Sequence, residues 1–171
     1  AAAIYCHSRG YKKILLAVQD REIEEDFSNF QLVNHNPEAI VLGDMGGAFT
    51  FKFINNLFNH ILLGAELVAM HKNRFWKSSL GYTLDVGAFV SALEYASGKS
   101  ATIIGKPSLN LFVLAIEGWN LQVGEILMVG DDIRGDIVGA SSVGMKSVLV
   151  KTGKFLDKNL RCSDVKPNYI I

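Results

Sequence analysis

The sequence predicts an α/β protein, with parallel strands in a sheet and helices on its faces. Three observations carry that prediction. Short apolar runs at residues 13–18, 39–42, 67–70, 101–104, 125–129 and 147–150 alternate with stretches of helical periodicity. Gly10 and Gly64 stand where helical stretches should stop, a usual place for glycine. Two of the apolar runs pass directly into Gly-Asp, at Gly43-Asp44 and at Gly130-Asp131.

Taken in order, residues 1–9 read as a helix closed by Gly10, and residues 13–18 as a buried strand. Asp20 can cap a short acidic helix through Glu22, Glu24 and Glu25, whose charges suit a helix N-terminus and otherwise form a solvated face. Asn34-His35-Asn36-Pro37 is a turn cluster before the strand at 39–42. Phe49, Phe53, Leu57 and Ile61 recur at helical spacing, so 49–63 is expected to be a helix with a core or interface face. After the strand at 67–70, His71-Lys72-Asn73-Arg74-Phe75-Trp76-Lys77 reads as a loop. A helix over 88–96 follows a domain boundary placed near Gly87, giving units 1–86 and 87–171. Beyond it come a strand at 101–104, a helix at 110–117, a strand at 125–129, a helix at 135–143, a strand at 147–150 and a short strand at 169–171.

Composition narrows the function classes. At 171 residues, the chain can bury a real core in one or two small domains. It is 49% hydrophobic and 20% charged, which is globular rather than disordered. Seventeen basic residues balance seventeen acidic ones, so nothing calls for nucleic acid or an anionic membrane as partner. No run is long enough to span a bilayer and no secretory signal is visible. Cys6 and Cys162 are far apart and lack metal-ligand spacing, which makes a reducing cytoplasm the expected compartment.

The chemistry concentrates in Ile126-Leu127-Met128-Val129-Gly130-Asp131-Asp132-Ile133-Arg134-Gly135-Asp136. Four apolar residues read as a buried strand, and ligands of open α/β sheets sit at the carboxyl ends of strands. Two adjacent acids there repel each other unless something positive lies beside them. A hard divalent cation fits: Mg2+ takes one or two protein carboxylates and fills its other positions with water and phosphate oxygens. Gly130 permits a tight turn, and Asp136 falls about one helical turn on, near a helix N-terminus. Asp131 is the expected direct ligand, with Asp132 and Asp136 acting through water or orienting the first. Lys106 follows a buried strand and precedes Pro107, with Ser108 able to cap the next helix. A lysine there can meet phosphate as a point charge or neutralise crowded carboxylates. Asp44 has no second acid after it and carries less weight. Thr152, Gly153 and Lys154 read either as the rim of the site or as a plain turn.

These motifs resemble a family. Val129-Gly130-Asp131-Asp132-Ile133-Arg134-Gly135-Asp136-Ile137 looks like the fourth motif of the haloacid dehalogenase superfamily, and Ile104-Gly105-Lys106-Pro107-Ser108 like its third. Residues 148–154 follow at the matching place. Gly87-Ala88-Phe89-Val90-Ser91-Ala92-Leu93-Glu94-Tyr95-Ala96 resembles the helix that leads from cap back to core in the NagD-like branch, which has a large α/β cap. The resemblance implies a Rossmann-like parallel-sheet core, of which 87–171 would be the C-terminal half, and an α/β cap at 1–86. It implies a Mg2+-dependent phosphatase acting on a small phosphorylated substrate, with Lys106 holding phosphate and the nucleophile carboxylate. His71, Lys72 and Arg74 would be cap residues able to meet an anionic substrate, and the cap a surface for homodimers.

The family's chemistry uses an aspartate nucleophile in a DxDGT-like first motif and passes through an aspartyl-phosphate. The sequence contains no such motif, nor the second-motif Thr or Ser. The expectation is therefore a chain lacking the N-terminal part, with the nucleophile upstream and the 171 residues inactive alone. The alternative is a non-catalytic protein that binds a partner through the apolar helix of its cap. No G-x-G-x-x-G favours a dinucleotide site.

Overall fold

A computed structural model describes residues 1–78 and 81–171 of the chain. It forms two compact units, Ala1–Gly105 and Lys106–Ile171. The division near Gly87 marks a different cut. The helix and strand after Gly87 pack with the first unit, where the strand extends the sheet of the preceding residues.

The first unit opens with α1 (Ala2–Ser8), and Gly10 turns the chain in the left-handed region at φ +76°. Five parallel strands follow: β1 (Lys13–Ala17), β2 (Gln31–Leu32), β3 (Ala39–Leu42), β4 (Glu66–Ala69) and β7 (Thr102–Ile103). Their order is β2-β1-β3-β4-β7. Registers such as Leu15 with Ile40 and Ile40 with Leu67 keep like-facing residues side by side.

Successive side chains of a strand point to opposite faces, so an all-apolar strand must be covered on both. All four residues of β3 are buried. Ile40 and Leu42 join Leu15, Leu67, Leu57, Ile61, Val90 and Leu93 on one face, beneath α2 (Phe51–Leu62) and α3 (Val86–Ser97). Ala39 and Val41 join Ile14, Val68, Phe27 and Cys6 on the other, beneath α1.

The helix expected from Phe49 begins later. The Thr50 hydroxyl accepts from the Phe53 N–H at 3.2 Å and caps α2, leaving Phe49 outside to stack on Phe89 at 3.8 Å. Asp85 caps α3 through the Val86 N–H, and Gly98 closes it. Asp20 caps Arg21–Phe27, which is a 3-10 helix. The basic stretch after β4 is only partly a loop: β5 (Phe75–Ser78) pairs antiparallel with β6 (Gly81–Leu84).

The second unit has three parallel strands, β8 (Leu127–Gly130), β9 (Lys146–Leu149) and β10 (Tyr169–Ile170), ordered β10-β9-β8. Its helices are α4 (Leu109–Ile116), α5 (Val138–Ser142) and a short α6 (Asp157–Arg161) that the sequence does not announce. Phe112, Ile126, Ala140 and Met145 form one cluster, and Ile133, Ile137 and Leu149 another. The helix expected over 135–143 is split into a π-helical turn, Ile133–Ile137, and α5. The expectation of a fully buried strand before Gly130 also fails. β8 is the terminal strand of its sheet, and Leu127 and Val129 are 48% and 55% exposed.

Candidate active site at the end of β8

Gly130 ends β8, and the chain turns at once into the π-helical turn. That turn returns Asp136 to the strand end. Its side chain is 4% exposed and would overlap any Cβ built on Gly130. A glycine is therefore required by close approach, and not only by the turn. Both oxygens of Asp136 are engaged: Oδ1 accepts from Lys106 Nζ at 2.6 Å, and Oδ2 from the Asp132 N–H at 3.1 Å. A buried carboxylate needs such partners, since its charge is costly to bury alone.

Lys106 opens the second unit and keeps 51% of its side chain exposed. An ammonium has three donors, and Asp136 uses one of them. Lys106 is thus pinned at its tip by a buried acid while still facing solvent. The Ser108 hydroxyl makes no capping hydrogen bond to α4, although Ser108 occupies the cap position.

Asp131 and Asp132 diverge. Asp132 caps the π-helical turn, its Oδ1 accepting from the Arg134 N–H at 2.9 Å. Asp131 Oδ2 accepts from the Lys154 N–H at 2.6 Å, across the chain from the loop after β9. That loop holds Gly153 at φ +48°, where a Cβ would overlap the same Asp131 oxygen. The sequence left residues 152–154 between rim and turn; the structure puts two of them against Asp131. Sequence spacing carries no sign of that contact, since the partners are 23 residues apart.

His71, Lys72 and Arg74 belong to the first unit. Lys72 Nζ donates to Glu94 on α3 at 2.5 Å, and burial, which alone would push the Glu94 carboxyl up, is outweighed by this bond and one from the Ala101 N–H. His71 Nδ1 lies 3.8 Å from Asp85 Oδ1, and the Arg74 carbonyl accepts from the Asp85 N–H at 3.2 Å.

The donor set can be tested for a metal. With the amide bonds above, one oxygen remains on Asp131 and one on Asp132, whereas Asp136 has none to spare. No group of three His, Cys, Asp or Glu side chains gathers as a ready cage among the described residues. This set does not suit a cation that needs an all-protein shell. It does suit Mg2+, which takes one or two carboxylates and retains water.

A family model described as HAD-hydrolase-like matches residues 103–171. The chain is 42% identical over 141 residues to haloacid dehalogenase-like hydrolase domain-containing protein 2 of Homo sapiens, covering 82% of this chain and 53% of that protein. It is 36% identical over 169 residues to phospholysine phosphohistidine inorganic pyrophosphate phosphatase of Bos taurus, covering 97% of this chain and 61% of that protein. The chain thus spans little more than half the length of these curated relatives. Among solved structures, p-nitrophenyl phosphatase from Archaeoglobus fulgidus matches with a TM-score of 0.88 at 23% identity, over 99% of this chain and 67% of that one. NagD from E. coli K-12 matches with a TM-score of 0.84 at 21% identity, over 98% and 66%. The structural likenesses show a shared fold, and the sequence likenesses run through the residues around Lys106 and Asp131. On these grounds the chain belongs to the haloacid dehalogenase superfamily, and its likeness to NagD is one of fold.

Proposed function

We propose that these residues belong to a Mg2+-dependent phosphatase that hydrolyses a small phosphorylated substrate. The observation that carries the reading is Lys106, held at 2.6 Å by an acid that is itself buried, with its remaining donors free for an anion. Asp136 fixes the position of the ammonium and ties it to the backbone that carries Asp132. Lys106 then binds a phosphoryl oxygen and orients the attacking carboxylate. Asp131 is the direct metal ligand, and Asp132 helps through water. When bound there, Mg2+ offsets negative charge on the phosphoryl group.

The nucleophile is an aspartate outside residues 1–171, which contain no Asp-x-Asp pair. Residues 1–86 act as the cap that admits the substrate, with the Arg74 guanidinium offering it positive charge and the His71 ring a polar contact, and the cap serves as the homodimer surface. Lys72 contributes through its hold on Glu94. Two cysteines that are both free thiols, one buried and one exposed, are in keeping with work in the cytoplasm. No helix among the described residues is long and apolar enough to cross a membrane.

The test is phosphate release from a generic aryl phosphate by the full-length protein. Release that requires Mg2+ and disappears in Lys106→Ala supports the proposal. No release with or without Mg2+ sinks it, and favours the partner-binding alternative.

A further inference from the structure

The geometry points to Gly153 and the Lys154 backbone as a latch that positions Asp131 for its metal. Two independent features of the loop after β9 carry this. The Lys154 N–H donates to Asp131 Oδ2 at 2.6 Å. Gly153 sits beside the same oxygen at φ +48°, and a Cβ there would overlap it. An L side chain at that position is strained by its backbone and also evicts the carboxylate. The residue type and the amide therefore act on a single atom.

An aspartate on a strand end has two torsions to settle. Held by one oxygen, it presents the other in a fixed direction, and partners that orient a ligand in this way raise metal affinity. Asp132 receives its equivalent hold from within its own turn, through the Arg134 N–H. Asp131 receives it only through the fold, from a loop that the parallel pairing of β8 with β9 brings alongside. Loop and ligand are thus coupled: whatever moves residues 152–154 releases Asp131, and whatever binds Asp131 steadies the loop.

This inference rests on the reading of Asp131 as the metal ligand, so the experiment separates the two. In the full-length protein, amide hydrogen exchange at Lys154 is measured with and without Mg2+, and Mg2+ affinity is measured by calorimetry. The Lys154 amide should be protected, and Mg2+ should slow its exchange further. Gly153→Ala should weaken Mg2+ binding about tenfold or more and expose the Lys154 amide. Gly118→Ala serves as control. Gly118 also has a positive φ, +82°, but nothing lies within 4 Å of a Cβ there. It should show backbone strain with unchanged Mg2+ affinity.

Freely exchanging Lys154 in the unaltered protein overturns the latch outright, with no variant required. Equal Mg2+ affinity in Gly153→Ala and the parent overturns the positioning role while leaving Asp131 as ligand. If the parent binds Mg2+ no better than Asp131→Asn does, the ligand reading itself falls, and the latch's role toward a metal falls with it.

Discussion

Strand β3 ends in Gly43-Asp44, and strand β8 in Gly130-Asp131. The first lies in the middle of a five-stranded sheet with all four residues buried, the second at the end of a three-stranded one. Asp44 is spent locally: its Oδ1 accepts from the Gly46 N–H at 2.8 Å, and its carbonyl from the Gln19 N–H at 2.8 Å. Asp131 is held by a loop from beyond the next strand, and the neighbouring turn carries a buried acid bonded to a lysine. Even the glycines differ. A Cβ on Gly43 would meet the Met70 sulfur at 2.9 Å, whereas one on Gly130 would overlap the Asp136 carboxylate. A Gly-Asp strand end is thus a common piece of α/β architecture. A charged site needs, in addition, an acid returned by the following turn and a cation delivered from another element.

The comparison can be broken most sharply at the two aspartates. Asp131→Ala in the full-length protein should lower Mg2+-dependent phosphate release by roughly a hundredfold or more, and Asp44→Ala should leave it near the parent rate. Equal losses would erase the distinction. Next comes Asp136→Ala, which leaves the Lys106 ammonium and the Asp132 amide without their acceptor. It should cost roughly 2–3 kcal/mol in urea unfolding, and a loss within error of zero would mean that the buried bond contributes nothing.

The glycines test the same contrast at smaller scale. Gly130→Ala should destabilise by ~1–2 kcal/mol through overpacking against Asp136. Gly43→Ala should cost less, about 1 kcal/mol, because the Met70 thioether can move aside and only the Val18 methyl, at 3.0 Å, resists. Thermal melts of the pair would show whether that order holds.

The smallest effect lies at the opposite end of the first sheet. Burial pushes the Glu66 carboxyl up, but hydrogen bonds from Tyr11, Tyr5 and Thr102 and the charge of Arg9 bring it below the usual glutamate value. A depressed native pKa contributes stability above the ordinary value that is lost as pH falls through the native one. Stability should therefore decline on acidification below the ordinary glutamate range. Glu66→Gln should flatten that limb, and an unchanged acid profile would assign the decline to other groups.

Much of the fold was legible because burial on two faces leaves uninterrupted apolar runs. β1, β3, β4 and β9 fall within a residue or so of their expected places. The β5–β6 hairpin was not legible, because Phe75, Trp76, Tyr82 and Leu84 are all exposed and no buried face imposes alternation on the pattern. Phe49 kept helical spacing with Phe53 although it packs from outside the helix, against Phe89. Motif spacing singles out Asp131, Asp132, Asp136 and Lys106 as candidates, and the structure adds a pairing the spacing does not name, that of Lys106 with Asp136. Gly153 was the hardest to see, since its reason is a through-space neighbour and not its sequence context.

The terminal place of β8 in its sheet has a practical consequence. A terminal strand offers a row of backbone donors and acceptors, and here Leu127 and Val129 add greasy side chains beside it. Such an edge templates growth by strand addition, so the 171 residues produced alone should show turbidity that rises with protein concentration. A charge introduced at Val129 should suppress it.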